Sequence, residues 1–324
     1  MNNSCARVSS NFTGRFLPPV YILVFIVGLI ANLIGLKFLL QNWTKLFVIN
    51  VFVLNLALAD VLYILMLPLR VFYYLKSREW IFGEIFCKVT RFCFNMNLYG
   101  SIGFLTCIGV SRYLAIVHPV RVMGQLTTIH SVVISVLVWV LVSVQSLPDM
   151  FFPKMSANRN QSCFDTTSNE FVEDYLTYSL GWTVTGFCLP LLIIMGCYSH
   201  AIVTLFCSSS TYRCKRLRFL MVTLLLFSVC YIPYHVFKNL NLWVRVLIKK
   251  KQCYSWFNMV YMAHQVSRGL VCLNPALNPL VYLHVIEELS SGFRALIGRT
   301  QRVLYRNKMS SITGDTSSHV TDQV

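Results

Sequence analysis

Acidic residues are scarce in this chain: 12 Asp and Glu stand against 28 Lys and Arg in 324 residues, a formal charge of +16. Charged residues of both signs make up only 12%, about half of what soluble domains carry. A soluble fold of this composition would have too few charges to cover its surface. A lipid-facing surface removes that problem. Other absences narrow the class. Short alternating segments of the kind a membrane barrel needs are missing. So are the H-E-x-x-H zinc pattern, the G-x-S-x-G elbow and the P-loop, which argues against an enzyme. No internal repeat or pair of half-helices suggests a transporter, the different-class alternative. The basic residues sit in loops and near the ends of apolar runs, not on one soluble face, so no nucleic-acid partner is expected.

Apolar residues are abundant, at 56%. They gather into seven runs, at 18–40, 47–75, 84–117, 129–150, 175–206, 216–242 and 256–282. Several reach the roughly 20 residues that one helix needs to cross the hydrocarbon core. Backbone groups in lipid must be paired within the segment, so such runs span as helices. The expected fold is an all-α membrane protein, a seven-transmembrane helix bundle. Pro68, Pro148, Pro190, Pro233 and Pro279 fall inside the runs. Each would cost about 3 kcal/mol in a soluble helix, but in a bundle neighbouring helices re-satisfy the freed carbonyls. The bundle occupies 18–283, after an extracellular tail at 1–17. A short amphipathic helix at 284–298 has Phe293, Leu296 and Ile297 on one side and Arg294 on the other. It is expected to lie on the membrane lipid surface. The Ser/Thr-rich stretch 299–324 reads as a disordered cytoplasmic tail.

No cleavable leader is expected; the first apolar run reads as a signal-anchor helix. Asn2 and Asn11 open glycosylation sequons before that run, and Asn160 opens a third. They favour an extracellular N-terminus. The inner segments then hold Lys45, Arg121, Arg213, Lys215, Arg216 and Arg218 with almost no acid, as the positive-inside rule prefers. The outer side is basic too, with Arg70, Lys76, Arg78, Arg245 and Lys249 to Lys251. Of 12 cysteines, Cys93, Cys107, Cys188, Cys197, Cys230 and Cys272 lie in apolar runs and pack as small hydrophobes. Cys5, Cys87, Cys163 and Cys253 fall on the outer side, where four cysteines allow three pairings.

Motifs recur in a fixed order along these runs. Asn32 is in the first and Asn55-Leu56-Ala57-Leu58-Ala59-Asp60 in the second. The third begins near Cys87 and ends Ser111-Arg112-Tyr113; Trp139 is in the fourth, Pro190 and Tyr198 in the fifth. Phe227 and Pro233 are in the sixth, and Asn278-Pro279-Leu280-Val281-Tyr282 closes the seventh. Together they resemble the rhodopsin-like G-protein-coupled receptors over nearly the whole chain. The resemblance implies a multi-pass plasma-membrane receptor with Cys87–Cys163 and Cys5–Cys253 disulfides. It implies that Arg112 and Tyr113 meet a heterotrimeric G protein when Tyr198, Phe227, Pro233, Asn278, Pro279 and Tyr282 rearrange. Ser111 stands where the family usually has an acid, so the inactive state lacks one ion pair. Asp60 is an acid inside an apolar run, which is costly and faces the bundle interior. By resemblance Asp60, Ser101, Asn274 and Asn278 line an allosteric sodium site; no cofactor is required. Tail serines and threonines from Ser310 to Ser318 would serve receptor kinases and arrestin.

Cations in the outer halves of the runs point to a ligand. Arg91, Lys238 and Arg268 lie on three different runs, with His235 and His264 close by. Tyr73, Tyr99, Tyr234 and Tyr261 are near enough to supply hydroxyls and a ring to stack on. One cation alone could snorkel to headgroups. Three around one vestibule repel each other unless an anion compensates, and Asp165 does so only in part. An anionic ligand is therefore expected.

His235-Val236-Phe237-Lys238, Gln265-Val266-Ser267-Arg268, Trp80-Ile81-Phe82-Gly83, Asn97-Leu98-Tyr99-Gly100-Ser101 and the stretch from Cys163 to Ser168 resemble the purinergic nucleotide receptors, nearest their ADP/ATP-responsive branch. Asn95 and His264 depart from that branch's usual histidine and tyrosine. The resemblance implies phosphate contacts from Arg91, Lys238 and Arg268, aided by Tyr99, Tyr261, Gln265 and Arg245. Asn241 would meet the base, and Asp165, His235 and His264 would complete the site. It also implies Gq coupling and calcium release. The rival within the superfamily is a dicarboxylate receptor for succinate or oxoglutarate, because carboxylates also take bidentate guanidinium contacts.

Overall fold

The computed structural model describes residues 11–41, 47–118, 127–154, 162–163, 165–206 and 213–280. Asn2, Cys5, Asn160, Tyr282, the 284–298 helix and the 299–324 tail lie outside the described residues. Among the described residues, six helices are long and apolar enough to cross a membrane. They are α1 (Asn11–Gln41), α2 (Val48–Leu75), α3 (Gly83–Val117), α4 (Thr128–Phe151), α5 (Val172–Phe206) and α6 (Leu220–Lys249). The seventh, α7 (Phe257–Cys272), turns at Leu273 and resumes over 274–280. The break follows from Pro275, which has no N–H to donate. Its carbonyl is taken by the buried Asn32 Nδ2 of α1 at 2.7 Å.

Prolines shape the other helices too. The α2 ladder breaks into Phe47–Ile64 and Leu67–Leu75 just ahead of Pro68. Widened π-helical turns at Val184–Cys188 and Phe227–Tyr231 precede Pro190 and Pro233. A π-turn takes up an extra residue where the proline ring would clash with the carbonyl four positions back. Pro148 stays within α4.

Helix α3 is the central post and packs on α2, α4 and α5; α6 packs on α5 and α7, and α1 joins α7 to α2. Phe104 and Ile108 of α3 are buried in one core with Leu56 of α2, Ile194 of α5 and Phe227 of α6. The outward face is the reverse of a soluble one: Leu23, Leu33, Val140 and Leu192 are each more than half exposed. Apolar surface on that scale requires lipid. Close approach of α3 to α5 depends on Gly109, where an added Cβ would lie 2.8 Å from the Tyr198 hydroxyl.

Two helices outrun their apolar runs by more than a turn. Helix α1 starts at Asn11, so 11–17, read as tail, are helical, and Thr13 Oγ1 lies 2.8 Å from the Tyr261 hydroxyl of α7. Helix α6 continues past 242 to Lys249 because its last turns are clamped on both sides. Leu242 and Val246 pack on Val172 and Tyr175 of α5, and Val244 packs on Phe257 and Val260 of α7. Arg245 thereby projects from a helix, not from a loop.

Candidate functional site

The Cys87–Cys163 disulfide is present, with Cα atoms 5.8 Å apart, and pins the loop before α5 to the start of α3. Cys253 is also disulfide-bonded, its partner lying outside the described residues. Two residues beyond Cys163, the loop puts Asp165 into the mouth of the bundle. Arg91 Nη1 of α3 lies 2.7 Å from Asp165 Oδ1, and Arg70 Nη1 of α2 lies 3.7 Å from the same oxygen. Arg268 Nη1 of α7 pairs with Oδ2. Each arginine is oriented by its own neighbours. Arg268 Nη2 donates to the hydroxyls of Tyr21, at 3.1 Å, and Tyr74, at 2.5 Å. Arg70 Nη2 donates to Thr90 Oγ1 at 3.3 Å, and its guanidinium lies 5.6 Å from the centre of the Trp80 ring. Arg91 lies 5.0 Å over Phe94. The three cationic side chains are 2 to 8% exposed, and the carboxylate is 27% exposed. One carboxylate thus faces three buried cations, and the positive excess is strong where water is scarce.

A cavity of about 310 Å³ opens beside Asp165, between α6, α7 and the disulfide loop. Asn241, Arg245, Tyr261, His264 and Gln265 line it together with Asp165. Its size falls at the lower end of small-molecule pockets, about 300–1,000 Å³. Arg245 forms one wall and is locked to the loop. Its Nη1 donates to Thr166 Oγ1 and its Nη2 to the Thr167 carbonyl, both at 2.7 Å, while Nε donates to Asn169 Oδ1 at 3.1 Å. Gln265 Oε1 is buried without a hydrogen-bond partner among the described residues.

Five expected site residues do not line this cavity: Arg91 and Arg268, which hold Asp165, and Tyr99, His235 and Lys238. Tyr99 stacks on Trp182 at 3.7 Å and His235 on Phe187 at 4.3 Å, an aromatic layer toward α5. Neither the Tyr99 hydroxyl nor either His235 nitrogen has a hydrogen-bond partner among the described residues. Lys238 is buried on α6 with its ammonium 6.0 Å over the Tyr234 ring.

Sequence reasoning misses Arg70, Tyr21 and Tyr74. It counts Arg70 only among the outer basic residues, and it looks to Tyr73 for a hydroxyl that its neighbour Tyr74 supplies. It also misses a buried pair at the end of α4. Lys154 Nζ lies 2.7 Å from Asp149 Oδ1 and bonds the Thr166 carbonyl. Asp149 also accepts from Tyr175 at 2.7 Å and from Asn95 Nδ2 at 3.2 Å. Burial pushes the Lys154 ammonium down to about 8, with the Asp149 charge opposing the shift.

Midway down the bundle, Asn97 Nδ2 donates to Asp60 Oδ1 at 2.8 Å and Asn278 Nδ2 reaches both carboxylate oxygens at 3.0 Å. Ser101 Oγ lies 3.5 Å from Oδ1, and Asn274 is buried one turn before Asn278. The set is a carboxylate, a hydroxyl and three amides, hard oxygen donors suited to a small cation. At the far end of α3, Arg112 is buried and Ser111 Oγ donates to the Cys107 carbonyl at 2.8 Å. The Tyr113 hydroxyl lies 3.0 Å from His200 Nδ1 of α5. Phe227 packs on Tyr231 at 5.0 Å, immediately before Pro233, and Pro279 lies in the 274–280 helix.

The family model for the 7 transmembrane receptor (rhodopsin family) matches residues 10–282. Purinoceptor 1 of Homo sapiens is 38% identical over 316 residues, covering 95% of this chain and 83% of that protein. The Rattus norvegicus purinoceptor 1 is 37% identical over 316 residues, with the same coverage of 95% and 83%. The 2-oxoglutarate receptor 1 of Rattus norvegicus is 35% identical over 297 residues, covering 90% of this chain and 86% of that protein. The chain therefore belongs to the rhodopsin family of seven-transmembrane G-protein-coupled receptors, in its purinoceptor group.

Proposed function

We propose that this receptor responds to an extracellular adenine nucleotide, ADP or ATP, whose phosphates take the place of Asp165 on Arg91, Arg268 and Arg70. The convergence of three buried arginines on one carboxylate carries the reading. A polyphosphate supplies more negative charge than Asp165 and accepts bidentate guanidinium bonds. The adjoining cavity gives the base somewhere to go: Asn241 and Gln265 offer amides, and Tyr261 a ring. Tyr99, His235 and Lys238 join the site as α6 closes on the ligand. The N-terminus lies outside, so that the disulfide end faces the ligand.

Binding draws α3, α6 and α7 together at that end. It can shift the receptor between states only by its differential affinity for them. The active state opens the Arg112 end to a heterotrimeric G protein, of the Gq type, and calcium is released. Phe227, Pro233 and Tyr198 are the moving parts. Asp60, Ser101, Asn274 and Asn278, with Asn97, hold a sodium ion in the inactive state. Phosphorylation of the tail by receptor kinases then recruits arrestin.

One observation favours a second reading. The arginines accept a carboxylate in this structure, that of Asp165, and a receptor named for 2-oxoglutarate is among the relatives. A small diacid, however, leaves the Asn241–Tyr261 cavity without a role. Calcium release in cells expressing the chain, challenged with ADP, ATP, UTP, succinate and 2-oxoglutarate, separates the two. The nucleotide reading predicts responses to ADP or ATP; a response to a diacid alone overturns it.

A further inference from the structure

Asp149 and Lys154 are buried charges that the nucleotide reading leaves without a role. They are 1% and 0% exposed, at the junction of α4 with the disulfide loop. Every strong contact they make is satisfied. Asp149 takes Lys154, Tyr175 of α5 and Asn95 of α3, and Lys154 also lies 4.9 Å over the Tyr175 ring. The remaining direction of the ammonium is toward the Thr166 carbonyl. A second bond follows the same line, from Thr167 Oγ1 to the Pro153 carbonyl at 3.3 Å.

A buried ion pair is a poor source of stability, since apolar side chains of the same volume do as well or better. What this pair does that apolar residues would not is fix a backbone carbonyl. Thr166 directly follows Asp165, and the Thr166 hydroxyl is itself a partner of Arg245. The loop segment that presents Asp165 to the arginines is thus bonded on one side to Lys154 and on the other to Arg245.

We propose that Asp149 and Lys154 are positioning residues: they brace the Thr166 backbone so that Asp165 is held on Arg70, Arg91 and Arg268, and so set how strongly a ligand phosphate must compete for those arginines. Asn95 fits this role, since its amide donates to Asp149 without bringing a charge or a titration of its own. The inference rests on the nucleotide reading for the identity of the competitor, but the brace itself does not.

The test compares full-length receptors in cells, with ADP as the probe, calcium as the readout and surface expression measured alongside. Lys154→Met keeps the volume and removes the bond to Thr166. It should loosen Asp165 and lower the ADP EC50 by about fivefold. In an Asp165→Asn background the same substitution should change the EC50 little, because coupled residues are non-additive. An equal shift in both backgrounds, or no shift at normal surface expression, overturns the proposal. A second measurement needs no ligand. Hydrogen–deuterium exchange of residues 165–171 in purified receptor should be faster in Lys154→Met and in Asp149→Asn than in the wild type; unchanged exchange in either variant overturns the brace. Wild-type cells that ignore ADP would instead refute the nucleotide reading, with the exchange result still deciding the brace.

Discussion

Arg268 of α7 and Asp165 of the disulfide loop form an ion pair inside the bundle, and the same guanidinium is held by the hydroxyls of Tyr21 on α1 and Tyr74 on α2. One side chain thus connects three helices to the loop that covers the mouth. Under the proposed function, a ligand that takes Asp165's place would act on all of them, and a charge exchange at one end would become a change in helix packing.

Arg70 shares the Asp165 carboxylate, so it should share the ligand. Charged hydrogen bonds are worth about 1.5–3 kcal/mol, and Arg70→Ala should therefore raise the ADP EC50 about tenfold or more in a calcium assay. An unchanged EC50 at normal surface expression would mean that Arg70 serves only to pack on Trp80.

Much of this is legible in the sequence. Long apolar runs give the helices, because lipid imposes a length and forbids unpaired backbone. Arg91, Lys238 and Arg268 stand out as cations surrounded by apolar residues. Helix ends are less legible: the last turns of α6 are amphipathic, and their packing on α5 and α7 is a tertiary fact. Arg70 escapes notice because it sits near the end of its run, where snorkelling is the default. Asp149, at the end of its run, and Lys154, just beyond it, look like ordinary boundary charges for the same reason, and only the folded structure shows that both are buried. The split between the arginine site and the aromatic layer of Tyr99 and His235 depends on depth along neighbouring helices, which sequence spacing does not fix.

The Asp60 cluster should couple to agonist binding. Agonist affinity in membranes should be lower in sodium chloride than in a bulky organic-cation chloride of equal strength. Asp60→Asn should abolish that difference. A sodium effect that survives the substitution would place the ion elsewhere.

Ser111 satisfies its hydroxyl on the Cys107 carbonyl and offers Arg112 no charge. Restoring an acid with Ser111→Asp should add an ion pair that favours the inactive state. Agonist-independent inositol phosphate production should fall below the wild-type level, and a rise would contradict the latch.

The central claim is that the buried arginines bind the ligand's phosphates, and Arg268 tests it most directly. ADP concentration–response curves for Arg268→Ala and wild type, at matched surface expression, should differ by about tenfold or more in EC50, as loss of a buried charged contact requires. Superimposable curves would contradict the account and leave Arg268 as a structural partner of Tyr21, Tyr74 and Asp165.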